Sequence, residues 1–186
     1  MIAACLPLAS AGPKNTTGQG MMRQGIFAAT VAVSAALFLS AASADAPAVG
    51  GDSNLPVPRF VSLKTEGANG RRGPGLDHRV EWIYQRAGLP LQVTGESGPW
   101  RRVVDPEGVQ VWMHAQNLDN RRTAFVTRAA VLRRAARENA SPVAYLDEGV
   151  IGAITGCDGG WRRIAVGGRV GWVEAGALWG ADCAGL

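Results

Sequence analysis

From Arg59 onward, apolar residues come in short runs of four or five that partly alternate with polar ones and are separated by turn formers. Leu91-Gln92-Val93-Thr94, Trp100-Arg101-Arg102-Val103-Val104 and Gln110-Val111-Trp112-Met113 are such runs, with Asp105-Pro106-Glu107-Gly108 between the last two. A period near two over so few residues predicts half-buried strands, and helix length is missing. Further on, Trp161-Arg162-Arg163-Ile164-Ala165-Val166 and Arg169-Val170-Gly171-Trp172-Val173 flank Gly167-Gly168, a pair able to take positive φ, which predicts a two-residue hairpin.

The pattern recurs. Gly98-Pro99-Trp100-Arg101-Arg102-Val103 returns as Gly159-Gly160-Trp161-Arg162-Arg163-Ile164, and Gly108-Val109-Gln110-Val111-Trp112-Met113 as Gly168-Arg169-Val170-Gly171-Trp172-Val173, at offsets of 61 and 60 residues. Two copies of one small unit follow, each fitting a five-stranded barrel that a short step at Leu118 or Leu178 would close. The stretch 127–139 admits a helix, with Val131, Leu132, Ala135 and Ala136 set among arginines. In repeat phase, however, Ala130-Val131-Leu132-Arg133 falls on Ala68-Asn69-Gly70-Arg71, which favours extended structure. The fold class expected is all-β, with units over 59–122 and 123–186.

Ahead of these units the pattern changes. Arg23 precedes an apolar stretch over 26–39 and then Ala42-Ser43-Ala44, the layout of a secretory signal over 21–44 with cleavage after Ala44. A membrane anchor is the alternative, but about 14 apolar residues fall short of the roughly 20 that span a bilayer. Residues 1–20 read as sequence upstream of the true start at Met21 or Met22. Residues 45–58, rich in Ala, Gly, Pro and Asp, lack apolar periodicity and are expected as a mobile linker. The expected location is the periplasm or the exterior, with no membrane span after cleavage.

Composition sharpens this picture. The 186 residues carry 19 Lys plus Arg against 15 Asp plus Glu, but Lys14 and Arg23 leave with the leader, so the remaining 142 residues hold 17 against 15, a net charge of +2. That charge lies in doublets rather than runs, which together with export disfavours nucleic acid as a partner. Loss of Cys5 turns an odd count into the pair Cys157 and Cys183, and an oxidising destination predicts a disulfide between them; two buried free thiols are the other reading. Catalysis is not expected. His78 and His114 stand 36 residues apart without a matching carboxylate set, the cysteine spacing is not a zinc pattern, and Gly70 to Gly75 contains Pro74 and lacks a phosphate cradle's ending. No cofactor or metal is implied.

Asn69-Gly70-Arg71-Arg72-Gly73-Pro74 resembles the Asn-x-Arg-x-Gly-Pro motif of bacterial SH3-like domains, and Gly88-Leu89-Pro90-Leu91-Gln92-Val93, Trp100-Arg101-Arg102-Val103 and Trp112-Met113-His114 continue the resemblance. Over about 59–181 the chain is similar to exported tandem SH3-like proteins of Gram-negative bacteria, which implies two tandem small SH3-like barrels. There are departures. Val111 stands where such domains have Gly before the second Trp, Arg133-Arg134-Ala135-Ala136-Arg137 replaces the Arg-x-Gly-Pro segment in the second unit, and Arg162 occupies a place where related second units carry Cys.

The resemblance implies a noncatalytic module of the cell envelope that binds peptidoglycan or an envelope protein peptide. A periplasmic scaffold and an accessory part of a cell-wall hydrolase system are alternatives. The repeated pairs Trp100 with Trp112 and Trp161 with Trp172 read first as core and second as groove wall. The less repeated Arg72, His78, Trp82 and Tyr84, in or after the loop that follows Arg71, are the candidate ligand-binding residues: a glycan or peptide favours a flat aromatic beside charged groups.

Overall fold

A computed structural model describes residues 48–49 and 51–183; the upstream stretch, the expected signal and Cys5 lie outside the described residues. The secondary structure is strand throughout, apart from two single-turn 3₁₀ helices. A short hairpin pairs β1 (Ala48–Val49) with β2 (Pro56–Val57). The first unit contains β3 (Arg59–Leu63), β4 (Ala68–Arg71), β5 (Val80–Tyr84), β6 (Pro90–Ser97), β7 (Trp100–Val104), β8 (Gln110–His114) and β9 (Leu118–Asp119). The second repeats them as β10 (Thr123–Val126), β11 (Ala130–Arg133), β12 (Pro142–Leu146), β13 (Ile151–Asp158), β14 (Trp161–Val166), β15 (Arg169–Glu174) and β16 (Leu178–Trp179).

The two sheets have one topology. Their strand orders are β5-β4-β8-β7-β6-β3-β9 and β12-β11-β15-β14-β13-β10-β16, antiparallel at every step. Seven strands replace the expected five, and no described pairing joins the outer strands into a closed barrel. The increase arises because 80–84 folds back on β4 as a strand of its own, and because Leu118-Asp119 pairs with Ser62-Leu63. The ambiguous stretch at 130–133 is extended, as the repeat phase required. Gly167 and Gly168 take φ of 55° and 75° between the paired residues Val166 and Arg169, the two positive values that a tight antiparallel turn needs.

Alternation decides what is buried. On β8, Val111 and Met113 face inward while Gln110, Trp112 and His114 face out. The first core consists of Val61, Leu63, Ala68, Leu89, Leu91, Val93, Val103, Val111 and Met113, and the second is built around Ala124, Val126, Leu132, Leu146, Ile154, Ile164 and Val173. Trp100 is buried, as the first reading of the repeated Trp pairs had it, whereas Trp112, Trp161 and Trp172 are half-buried and none of the four belongs to the two main cores. The reason is register: Trp100 pairs with His114 and Arg102 with Trp112, so these four side chains share the face opposite Val103, Val111 and Met113.

The longest strand of each sheet also carries a bulge, at Val93/Gly95 and at Ile154/Gly156. The extra residue is a threonine in both, and its hydroxyl donates to a carbonyl on the next strand, Thr94 to Arg102 at 3.4 Å and Thr155 to Arg163 at 3.2 Å. Such a bulge bends the strand and tightens its twist, curving the sheet over its core.

The segment expected as a mobile linker is fastened over 52–59. The Glu96 side chain, fully buried, accepts hydrogen bonds from the Ser53 hydroxyl at 2.6 Å, the Ser53 amide at 2.9 Å and Arg59 Nη2 at 2.7 Å, with Arg101 Nε at 3.3 Å. In return Asp52 accepts from the Gly98 amide at 2.8 Å. Composition did not reveal this because the anchoring group lies more than forty residues away. At the other end Cys157 and Cys183 form a disulfide, with Cα atoms 6.3 Å apart.

The seam between the sheets is aromatic. Phe60 meets the Trp179 ring edge-on at 5.0 Å, and the Arg86 guanidinium lies 6.0 Å from the Phe125 ring centre while donating to the Gly149 carbonyl. Phe125 and Ile151, from the second unit, pack against the first core.

Candidate functional site

Arg71 and Arg133 sit at equivalent ends of β4 and β11 and perform the same task. Arg71 Nη1 donates to the carbonyls of Leu76 at 3.1 Å and His78 at 2.7 Å; Arg133 Nη1 donates to that of Ala140 at 3.0 Å. Each thereby braces the loop that leads to the next strand. Arg101 and Arg162 form a second repeated brace. Their Nη1 atoms donate to the Gly98 and Trp100 carbonyls at 2.7 and 2.9 Å, and to those of Gly159 and Trp161 at 2.9 Å each. The turn before each leading tryptophan is held by the arginine that follows it.

Beside Arg71 and Arg133 lies a groove in each unit. In the first, a cavity of about 370 Å³ is bounded by Arg71, Leu76, Pro99, Trp100 and His114 and by the 3₁₀ turn Ala115–Asn117. Trp100 is buried and meets the His114 ring edge-on at 5.3 Å, while Leu76 is 78% exposed at the rim. In the second unit, a cavity of about 180 Å³ is bounded by Arg128, Val131, Arg133, Trp161 and Glu174 and by Ala177 of the equivalent 3₁₀ turn Ala175–Ala177. Arg71 and Arg133, Trp100 and Trp161, and His114 and Glu174 are repeat equivalents, so the two grooves occupy one position in the duplicated fold. Their polar chemistry differs: His114, Asn69 and Gln116 line the first, and Arg128 and Glu174 the second.

The four candidate residues do not converge. Trp82 and Tyr84 lie on β5, after the loop, and both line another cavity, of about 280 Å³, with Asp105, Glu107, Arg86 and Phe125. Trp82 is 55% exposed. Tyr84 is half-buried, and its hydroxyl donates to Asp105 Oδ2 at 3.0 Å. Burial, and then the Asp105 charge and hydrogen bond, push the Tyr84 hydroxyl well above its ordinary range. Arg72 and His78 belong to the exposed loop and line neither this cavity nor the Trp100 groove. The Arg72 amide donates to the Arg79 carbonyl at 3.0 Å, and the His78 ring covers Gly73, where a Cβ atom would lie 2.5 Å from it.

Sequence reasoning passed over Arg71 in favour of its neighbour Arg72. The signal was present in the spacing, since Arg71 and not Arg72 is the partner of Arg133 in repeat phase. Among the described residues, no three His, Cys, Asp or Glu side chains gather as a metal ion would need, and no helix is long and apolar enough to cross a membrane.

A family model described as the bacterial SH3 domain matches residues 64–120 and again 126–180, one match on each sheet. Comparison with curated proteins finds no match. Among solved structures, NlpC2 and NlpC1 from Trichomonas vaginalis are similar at 16% and 17% identity, with TM-scores of 0.31 and 0.30 over 66% and 70% of this chain. The match takes in 48% of each of those chains, so this chain spans about half their length. The bacterial SH3 domain is a noncatalytic module, and the chain belongs to that family, with two copies in tandem.

Proposed function

We propose that this protein is a noncatalytic binding module of the cell envelope that attaches to peptidoglycan, through the groove beside Trp100 and its equivalent beside Trp161. The observation that carries this reading is the duplication of the groove itself, with its bracing arginine, its tryptophan and its 3₁₀ turn. Two like sites on one body gain most from a ligand that repeats, because the second contact forms at a high effective concentration once the first is made. A wall polymer is such a ligand. The signal read over 21–44 supports the same location.

The experiment is retention of the protein on purified peptidoglycan, comparing wild type with Leu76→Asp, Arg128→Glu and the double variant. Leu76 and Arg128 are exposed at the two rims, so these changes leave the cores intact. Each single variant is expected to lose roughly tenfold or more in retention, and the double variant to fall to background. Wild-type retention at background, or a double variant that binds as well as wild type, rejects the reading.

A further inference from the structure

The aromatic wall of the cavity at Trp82 has no counterpart in the second unit. Trp82 and Tyr84 pair with Gly70 and Ala68, whereas the equivalent pairs are Leu132 with Ala144 and Ala130 with Leu146, so the aromatic wall is absent there. The acidic turn at 105–108 is likewise replaced by Gly167-Gly168. Both differences fall on one cavity of the first unit, apart from the duplicated grooves.

Its electrostatics are one-sided. Asp105 is buried at 3% exposure, yet all its described partners are neutral donors: the Tyr84 hydroxyl at 3.0 Å, the Glu107 amide at 3.0 Å and the Val109 amide at 2.8 Å. Glu107 is exposed on the same wall, and neither carboxylate has a cation within ion-pair distance among the described residues. The lining cation, Arg86, is turned to the seam, where it donates to the Gly149 carbonyl. A buried carboxylate without a counter-charge favours a cation brought from outside. Trp82 adds an exposed aromatic face, which attracts a cation by its quadrupole and covers an alkyl stem by contact.

We infer that this cavity binds a primary ammonium carried on an alkyl side chain of a peptide, with the stem against Trp82 and the charge towards Glu107 and Asp105. A carboxylate or phosphate ligand is disfavoured by the same two acidic groups. The site is independent of the wall-binding grooves, so either can fail while the other stands.

The test is titration of the ¹⁵N-labelled protein with the capped peptides acetyl-Ala-Lys-Ala-amide and acetyl-Ala-norleucine-Ala-amide, following the Trp82 indole N–H and the amides of 105–109. The lysine peptide is expected to give saturable shifts at those signals, with the norleucine peptide at least about tenfold weaker. Glu107→Gln should weaken lysine-peptide binding about fivefold, in line with a partly exposed charge and ring. Trp82→Ala should remove saturation, read at the 105–109 amides. Both side chains are exposed, and unchanged amide spectra elsewhere report an intact fold. Equal binding of the two peptides, or full affinity in Glu107→Gln, overturns the proposal.

Discussion

Gly70 and Val111 fill one space between them. A Cβ atom on Gly70 would come within 2.9 Å of Val111 Cγ2, so the valine occupies what the glycine leaves open. The second unit reverses the pair, with Leu132 in place of Gly70 and Gly171 in place of Val111; a Cβ on Gly171 would lie 2.7 Å from Leu132 Cγ and 2.6 Å from the Arg133 carbonyl oxygen. The departure at Val111 from the family pattern is therefore matched by the opposite exchange in the second unit, where the Arg133 backbone adds to the crowding at Gly171. Gly171→Val should destabilise the protein by about 2 kcal/mol through overpacking, and Leu132→Gly by about 3 kcal/mol or more through a cavity. Urea denaturation of the double variant should show a loss at least about 1 kcal/mol smaller than the sum of the two; simple additivity would refute the exchange.

Glu96 makes the attachment of the 52–59 segment acid-sensitive. Burial acts to raise its pKa, but the Ser53 hydroxyl and amide, with Arg59 and Arg101, outweigh burial and hold it at about 2, below the usual 4.5. A carboxyl depressed on folding contributes its stability above the unfolded value and loses it as pH falls towards the folded one. Amide protection factors at 52–55 and 57, which correct for the intrinsic pH dependence of exchange, should thus be high above pH 4.5 and fall progressively towards pH 2. Glu96→Gln should cost about 3 kcal/mol at neutral pH, because it leaves two arginines uncompensated, and should remove this pH dependence.

The bond between Cys157 and Cys183 closes a long loop. Its reduction should lower stability by about 3 kcal/mol on the chain-entropy account, measured as a fall in the denaturation midpoint with dithiothreitol. A thiol assay on the untreated protein should find neither cysteine free.

Arg71→Ala should loosen the loop over 72–79 by removing both carbonyl contacts, at a cost of about 1–3 kcal/mol. The expected readout is faster amide exchange confined to that loop, with weaker peptidoglycan retention. Arg72→Ala, one residue on, should change neither exchange nor retention.

The all-β class, the duplication and the Gly167-Gly168 hairpin were legible because each rests on local alternation or on self-comparison of the chain. What escaped depends on distant partners. Pairing of Leu118-Asp119 with Ser62-Leu63 is too short to leave a period, and the grip of Glu96 on Ser53 spans 43 residues. The repeated tryptophans were legible only in part: Trp100 is buried as its size suggests, whereas register sets Trp100 and Trp161 beside His114 and Glu174, on the face opposite the main cores. Trp82 and Tyr84 were picked out as the less repeated aromatics, and they share a cavity because they stand two residues apart on one strand. Arg72 and His78 precede Trp82 by only ten and four residues but line a different part of the surface.

The borrowing of Phe125 and Ile151 by the first core has a temporal side. A ribosome adds roughly 5–20 residues each second, so Met113, the last residue of the first core, is made about 2–8 seconds before Ile151. During that interval the leading sheet lacks two of the side chains that cover it. The seam is thus where a nascent chain would present a greasy edge to chaperones or to a second copy of itself.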